Sequence, residues 1–291
     1  MPQLKAILAA TDGSDQGGWA VVTGAALADR AGASFSVVSI VDKTALPGLY
    51  GLDSVEIADY ERALLGEARR RAEAQIDEAG ATVAAVQIES GVPATLVVKA
   101  ADQVEADLIV LGAQRRSAVA RLLAGSTAGR VIQLARCPVL TTTAARREPL
   151  RRVLAATDLS PRSNRVLDMA AAVAAIDGAK LRVLHVSEPL DAMMRHLALF
   201  DEELAQRSAR SQLERSVSSL AKRADIPVES ETRDGDAGKE ILEEANSWEA
   251  DLTVIGTHGF GFFERLLLGS TALHILRLAR RPVLVVPSAE T

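Results

Sequence analysis

The chain repeats itself. Residues 6–14 read AILAATDGS and residues 152–160 read RVLAATDLS, which sets Asp12 against Asp158 at an offset of 146. Further on, LIVLGAQRRSAVARLLAGSTAGRVIQLARCPVL (108–140) lies without gaps on LTVIGTHGFGFFERLLLGSTALHILRLARRPVL (252–284) at an offset of 144. This second match pairs Gly112 with Gly256, Gly125 with Gly269, Ser126 with Ser270 and Pro138 with Pro282. Two matches in one order at nearly one offset leave chance little room. Solenoid repeats have periods of about 20–50 residues, so a period near 145 marks a duplicated domain. The length of 291 residues agrees, at roughly 150 per domain. The polar stretch Thr141–Arg152, with Pro149 and no apolar period, reads as a linker between domains at 1–145 and 150–291.

Within each copy, short apolar runs alternate with helical patterns. In the second copy RVLAAT (152–157), LRVLHV (181–186), LTVIG (252–256) and VLVV (283–286) read as buried strands, with a weaker one at Pro227–Thr232. Helices are expected from the Asp158-Leu-Ser160-Pro161 segment to about Ile176, over about 200–224, over Ala237–Ser247 and over Ser270–Arg280. Asp158 or Ser160 would cap the first of these, with Pro161 near its first position. The first copy repeats the pattern, and its long helix runs over about 55–79 and stops at Gly80. Alternation of this kind predicts α/β architecture: two tandem doubly wound domains. Each is a five-stranded parallel sheet of order 3-2-1-4-5 with helices on both faces. Apolar residues make up 48% of the chain and aromatics 3%, so Ala, Val, Leu and Ile must fill such a core.

Ligands in these sheets sit beyond the carboxyl ends of the strands, where strand order reverses. That crevice lies between strands one and four, so Asp158 and Gly256 converge on it from separate parts of the sequence. The segment Gly256-Thr-His-Gly259, then nine intervening residues and Gly269-Ser270-Thr271, suits a phosphate. Glycines let the backbone turn and approach closely. A helix opening at Ser270 supplies free N–H groups, a positive dipole end and two hydroxyls. Taken singly, Gly256 is also what a strand-end turn uses, and Ser270 or Thr271 is also an ordinary helix cap. The whole constellation favours binding. It is neither a Walker A loop, since no Gly-Lys-Ser/Thr occurs, nor a dinucleotide G-x-G-x-x-G loop.

On these residues the chain resembles a tandem universal stress protein. The ATP-binding subgroup of that family carries G-x2-G-x9-G-[S/T], and Gly256, Gly259, Gly269 and Ser270 match at every position. The LAATD after strand one, with Ala156, Thr157 and Asp158, and the terminal RPVLVVP are similar too. The resemblance implies that Asp158 holds the adenosine end and that the backbone of Val186 meets the adenine edge. It assigns ribose and phosphates to Gly256, Gly259, Gly269, Ser270 and Thr271. ATP is the implied ligand, with AMP, ADP and cyclic AMP presenting many of the same groups and Mg²⁺ or Mn²⁺ on the phosphates. In the first copy Asp12, Ile40, Gly112, Gly125, Ser126 and Thr127 are the counterparts, but Arg115 stands where the second glycine belongs. A side chain there disfavours positive φ and close backbone approach, although Arg115 and Arg116 also offer charge to a phosphate. A lost or altered first site is the expectation.

Other features point elsewhere less strongly. The net charge is −5 with no basic stripe, which argues against nucleic acid. His185, His196, His258 and His274 have no metal-ligand spacing, and no G-x-S-x-G or other catalytic signature occurs. Cys137, the single cysteine, reads as a buried structural thiol. Phe260, Phe262 and Phe263 serve a lid, a partner surface or loop packing. No run of 18 uncharged apolar residues and no signal-like start is present, so a cytoplasmic protein without a membrane span is expected. The apolar fifth strands need covering. The resemblance suggests that they pair antiparallel as a pseudo-dimer within one chain, with a homodimer as a further possibility. The leading reading is an ATP-binding stress-response regulator acting through a partner protein. A slow ATPase or phosphoryl or nucleotidyl transferase, and a nucleotide-free scaffold, are the alternatives.

Overall fold

The computed structural model describes residues 1–42, 54–113, 127–188, 202–257 and 268–287. The chain divides into two compact units, Leu4–Glu148 and Pro149–Thr291, with Met1–Gln3 grouped with the latter.

The first unit runs β1 (Ala6–Thr11), α1 (Asp15–Ala31), β2 (Ser34–Asp42), α2 (Ser54–Ala79), β3 (Ala85–Gly91), α3 (Pro93–Gln103), β4 (Leu108–Gly112), α4 (Thr127–Leu134) and β5 (Val139–Thr142). The second runs β6 (Arg152–Thr157), α5 (Ser163–Asp177), β7 (Lys180–Ser187), α6 (Glu202–Ala224), β8 (Val228–Asp234), α7 (Ala237–Ser247), β9 (Leu252–Gly256), α8 (Ser270–Leu278) and β10 (Val283–Val286). Inside each unit every strand pairs parallel to its neighbour, in the orders β3-β2-β1-β4-β5 and β8-β7-β6-β9-β10. This is the doubly wound α/β fold that the alternating sequence predicts. Right-handed crossovers place α1 and α2, which pack together, on one face, and α3 and α4 on the other. The second unit repeats the arrangement with α5 on α6 and α7 on α8.

The central strands are the most deeply buried. Ile7, Leu8 and Ala9 of β1 and Val153, Leu154 and Ala155 of β6 are at most 1% exposed. The helices meet them largely through alanine, as with Ala20, Ala170, Ala171 and Ala174, all inaccessible to solvent. Small side chains let helix and sheet approach closely, which explains a core with so few aromatics. Helix α5 ends within a residue of the expected Ile176, at Asp177, with Gly178 in the left-handed region. Its start differs. The helix opens at Ser163, two residues beyond Pro161, because Asp158 and Ser160 are used in the turn described below.

One device recurs in both units and the sequence reading does not include it. Asp107, just before β4, accepts the backbone N–H groups of Lys5 (2.7 Å) and Ala6 (3.0 Å) at the start of β1. Asp251, just before β9, accepts those of Arg151 (2.8 Å) and Arg152 (3.0 Å) at the start of β6. A carboxylate thus fixes strand four on strand one at the edge opposite the crevice. The repeated Ala-Asp-Leu at 106–108 and 250–252 is its signature.

The second unit adds a buried ion-pair network. Glu244 of α7, with a side chain 3% exposed, pairs with both Arg182 of β7 and Arg233 of β8. Arg182 also bonds Glu229 (2.7 Å) and lies 4.3 Å from the Trp248 ring centroid. Removing one partner of a buried pair leaves uncompensated charge, which costs about 3–5 kcal/mol. Glu244→Ala is therefore expected to lower second-unit stability by about that amount in urea unfolding, whereas the exposed Glu243→Ala changes it by less than about 0.5 kcal/mol.

Candidate functional site

The carboxyl edge of the second sheet is where the central strands part. The β6–β9 ladder runs from Val153↔Leu252 to Ala155↔Val254 and stops, leaving Ala156, Thr157, Ile255 and Gly256 beyond it. In the first unit the β1–β4 ladder continues one pair further, to Ala10↔Leu111. The second crevice is thus split more deeply by its own hydrogen-bonding pattern.

Asp158 stands on one lip of that split, half-buried. Its Oδ1 accepts the Ser160 N–H (2.9 Å) and the Ser163 hydroxyl, and Thr157 Oγ1 accepts the Leu159 N–H (3.0 Å). Burial pushes its carboxyl up, but the hydrogen bonds from Ser163 and Ser160 outweigh that and hold it below the ordinary range. Among the described residues Oδ2 accepts no hydrogen bond. The carboxylate is kept ionised, pinned by one oxygen, with the other left to accept from a hydroxyl or amine. The turn is tight enough to force Leu159 to φ 61°, where the first copy has Gly13 at φ 77°. That conformation costs a residue with a side chain on the order of 1 kcal/mol.

Asp12 makes the equivalent turn, with Oδ1 accepting the Ser14 N–H (3.0 Å) and hydroxyl. It is exposed rather than half-buried. There Ser14 caps α1 directly. Gly17, at the place of Ser163, is held too close to Thr11 for any side chain, since a Cβ would meet Thr11 Oγ1 at 2.2 Å.

The opposite lip is formed by Gly256 and Thr257. Thr257 donates to the Val286 carbonyl (3.1 Å), and its own carbonyl accepts the N–H of Gly269 (2.9 Å). The loop therefore leaves and returns at one point, and that point delivers Gly269 to the start of α8. Gly269 is the N-cap residue and provides no side-chain cap, and no acid lies in the first turn. Ser270 and Thr271 are thus not caps here but the first residues of the helix, whose positive end is worth about 0.3–1 kcal/mol to an exposed anion.

Val186 and His185 lie at the carboxyl end of β7. His185 faces Thr157 in register and its Nδ1 bonds the Thr157 carbonyl (3.0 Å), so Nδ1 is the donor and the ring supports β6 just before Asp158. His274 lies on α8 against Gly238. Val186 pairs with Arg233 of β8 and is half-buried.

In the first unit Ile40 holds the position of Val186 on β2 and Thr127 begins α4. Gly112 is packed: a Cβ there would sit 1.9 Å from the Gln16 carbonyl oxygen of α1. Helix packing by itself requires that glycine. Gly259, Arg115, Gly125, Ser126, His196, His258 and the three loop phenylalanines lie outside the described residues. No group of three or more His, Cys, Asp or Glu side chains suited to a metal occurs among the described residues. No helix among them is long and apolar enough to cross a membrane. Cys137 is half-buried, and burial pushes its thiol up to about 11.

Comparison with known proteins gives a consistent pattern. The family model described as the universal stress protein family matches twice, over residues 3–142 and 149–287. Universal stress protein A homolog 1 of Coxiella burnetii is 37% identical over 139 residues, 47% of this chain and 95% of that protein. A universal stress protein of Mycobacterium tuberculosis is 30% identical over 186 residues, 62% of each chain. The crystal structure of a universal stress protein from Archaeoglobus fulgidus superimposes with a TM-score of 0.70 over 99% of this chain and 98% of its own. At 24% identity that likeness speaks for the fold.

Two outcomes follow from the titrating groups. The folded-state pKa of Asp158 is lowered, so its stabilising contribution is present above the ordinary carboxylate range near 4 and is lost as pH falls through the folded value. Thermal melts from pH 7 to pH 3 are expected to show a steeper acid loss for wild type than for Asp158→Asn; parallel curves contradict this. With its thiol at about 11, Cys137 is expected to alkylate in the folded protein at pH 8 at least about tenfold more slowly than in urea.

Proposed function

The chain belongs to the universal stress protein family, with the family's domain present twice, and from that premise we propose that it is an ATP-binding stress-response regulator whose nucleotide lies in the second unit between β6 and β9. The observation that carries this reading is the meeting of two features at one split edge. A half-buried ionised carboxylate with one free oxygen, Asp158, stands on one lip. A helix start without a side-chain cap, at Ser270, is tethered to the other. A ribose hydroxyl or base amine suits the first and a phosphate suits the second. Asp158 takes the adenosine end, beside Ala156 and Thr157. The Val186 backbone meets the adenine edge, and Gly256, Gly259, Gly269, Ser270 and Thr271 receive ribose and phosphates. Mg²⁺ or Mn²⁺ accompanies the phosphates.

The first unit is assigned no equal site. Its ladder extends further between the central strands. Gly112 is occupied by packing against Gln16, and Arg115 replaces the glycine found at 259. Its role in this reading is to carry the architecture, and occupancy of the second unit is the signal that a partner protein reads.

Isothermal titration of the full chain with MgATP is expected to give one site. Gly259→Arg, which introduces the first copy's residue, is expected to weaken it at least tenfold, about 1.4 kcal/mol or more. Unchanged affinity and stoichiometry in Gly259→Arg refute the assignment. Chromatography of nucleotide released on denaturation, before and after long incubation, separates retention of ATP from turnover to ADP.

A further inference from the structure

The turn that carries Asp158 is strained at Leu159, and beside its local hydrogen bonds one side chain from a distant element reaches it. Gln212, midway along α6, donates from Nε2 to the carbonyl of Leu159 at 2.7 Å. Leu159 is the residue forced into the left-handed region. The peptide that follows it presents the Ser160 N–H to Asp158 Oδ1. The bond from Gln212, an exposed residue, adds to those from Thr157 and Asp158 in holding Leu159 at positive φ, and it is the one that comes from outside the turn and α5.

The first copy makes the same kind of contact from a different place. Gln75 of α2 donates to the carbonyl of Ser14 at 2.8 Å, and its Oε1 accepts the Thr11 hydroxyl at 2.6 Å. Gln75 lies about one turn from the end of its helix, and Gln212 about three turns from the end of its own. The glutamines are not counterparts in the duplication. A tether from the long helix to the turn after strand one has thus been kept through residues that the repeat does not align.

We propose that Gln212 is a positioning residue for the ligand site, holding the Leu159 peptide so that Asp158 keeps a free carboxylate oxygen at the lip of the second crevice. The proposal rests on the reading of that crevice as the nucleotide site.

The test uses the full chain with three variants. Gln212→Ala removes the side chain, Gln212→Glu keeps its shape but loses the donor, and Gln212→Lys keeps an N–H donor. Amide hydrogen exchange over residues 158–160 is expected to rise in the Ala and Glu variants and to stay near wild type in the Lys variant. Affinity for MgATP is expected to fall about three- to tenfold in the first two, the range of one net hydrogen bond, and to recover in the third. The pH midpoint of the Asp158 carboxyl, followed by NMR, is expected to move upward with the loss. Unchanged exchange and unchanged affinity in both Ala and Glu variants overturn the proposal while leaving the nucleotide reading intact. If wild type binds no MgATP, that reading falls, and the tether is decided by exchange and the Asp158 midpoint alone: no difference between wild type and the two variants overturns it.

Discussion

The clamp of Asp251 on the Arg151 and Arg152 amides, where the chain enters β6, joins the two central strands of the second unit. Strand one and strand four of a doubly wound sheet are far apart in sequence and share no turn to set their register. Here a carboxylate preceding β9 accepts two N–H groups at the start of β6 and sets that register at the amino edge. Three residue pairs later the ladder ends and the strands diverge. The clamp holds the amino edge together, and the split opens at the opposite end of the strands. Asp107 does the same for β1 and β4, which makes it a property of the domain and not of one copy.

The two units then use one framework differently. In the first, α1 begins at once after Asp12, capped by Ser14, and packs so closely that Gly17 and Gly112 admit no side chain. In the second, Ser163 occupies the place of Gly17 and turns its hydroxyl to Asp158. That hydroxyl helps to keep the carboxylate ionised while half-buried. A small change, from hydrogen to hydroxymethyl at one helix position, converts a packing contact into support for a charged group. Leu159 records the cost, since it adopts a backbone conformation that glycine adopts freely in the other copy.

The sequence places several elements of the candidate site. Asp158 and Gly256 were placed on one crevice by strand order, and a helix start near Ser270 by its spacing from Gly256 and Gly259. The structure revised the detail. Ser270 and Thr271 are helical residues and not caps, because Gly269 takes the cap position with its N–H already committed to Thr257. Asp158 and Ser160 do not cap α5; they close a turn, and the helix starts later. Gln212 left no trace in the sequence, since a single glutamine on a polar helix face has no periodicity to betray it.

The sequence by itself determined the duplication, the strand-helix alternation and therefore the parallel order of each sheet. These follow from local apolar period and from the handedness of crossovers, both properties of short segments. Only the tertiary structure decided how far the central strands stay paired, which oxygen of Asp158 is committed, and that Gly112 faces the Gln16 carbonyl and not an open cleft. The first and third of those outcomes depend on distances between residues about a hundred positions apart, and the second on how a short turn closes once the helix after it is packed. Such distances are set by how closely side chains allow helix and sheet to pack, and no local pattern encodes them.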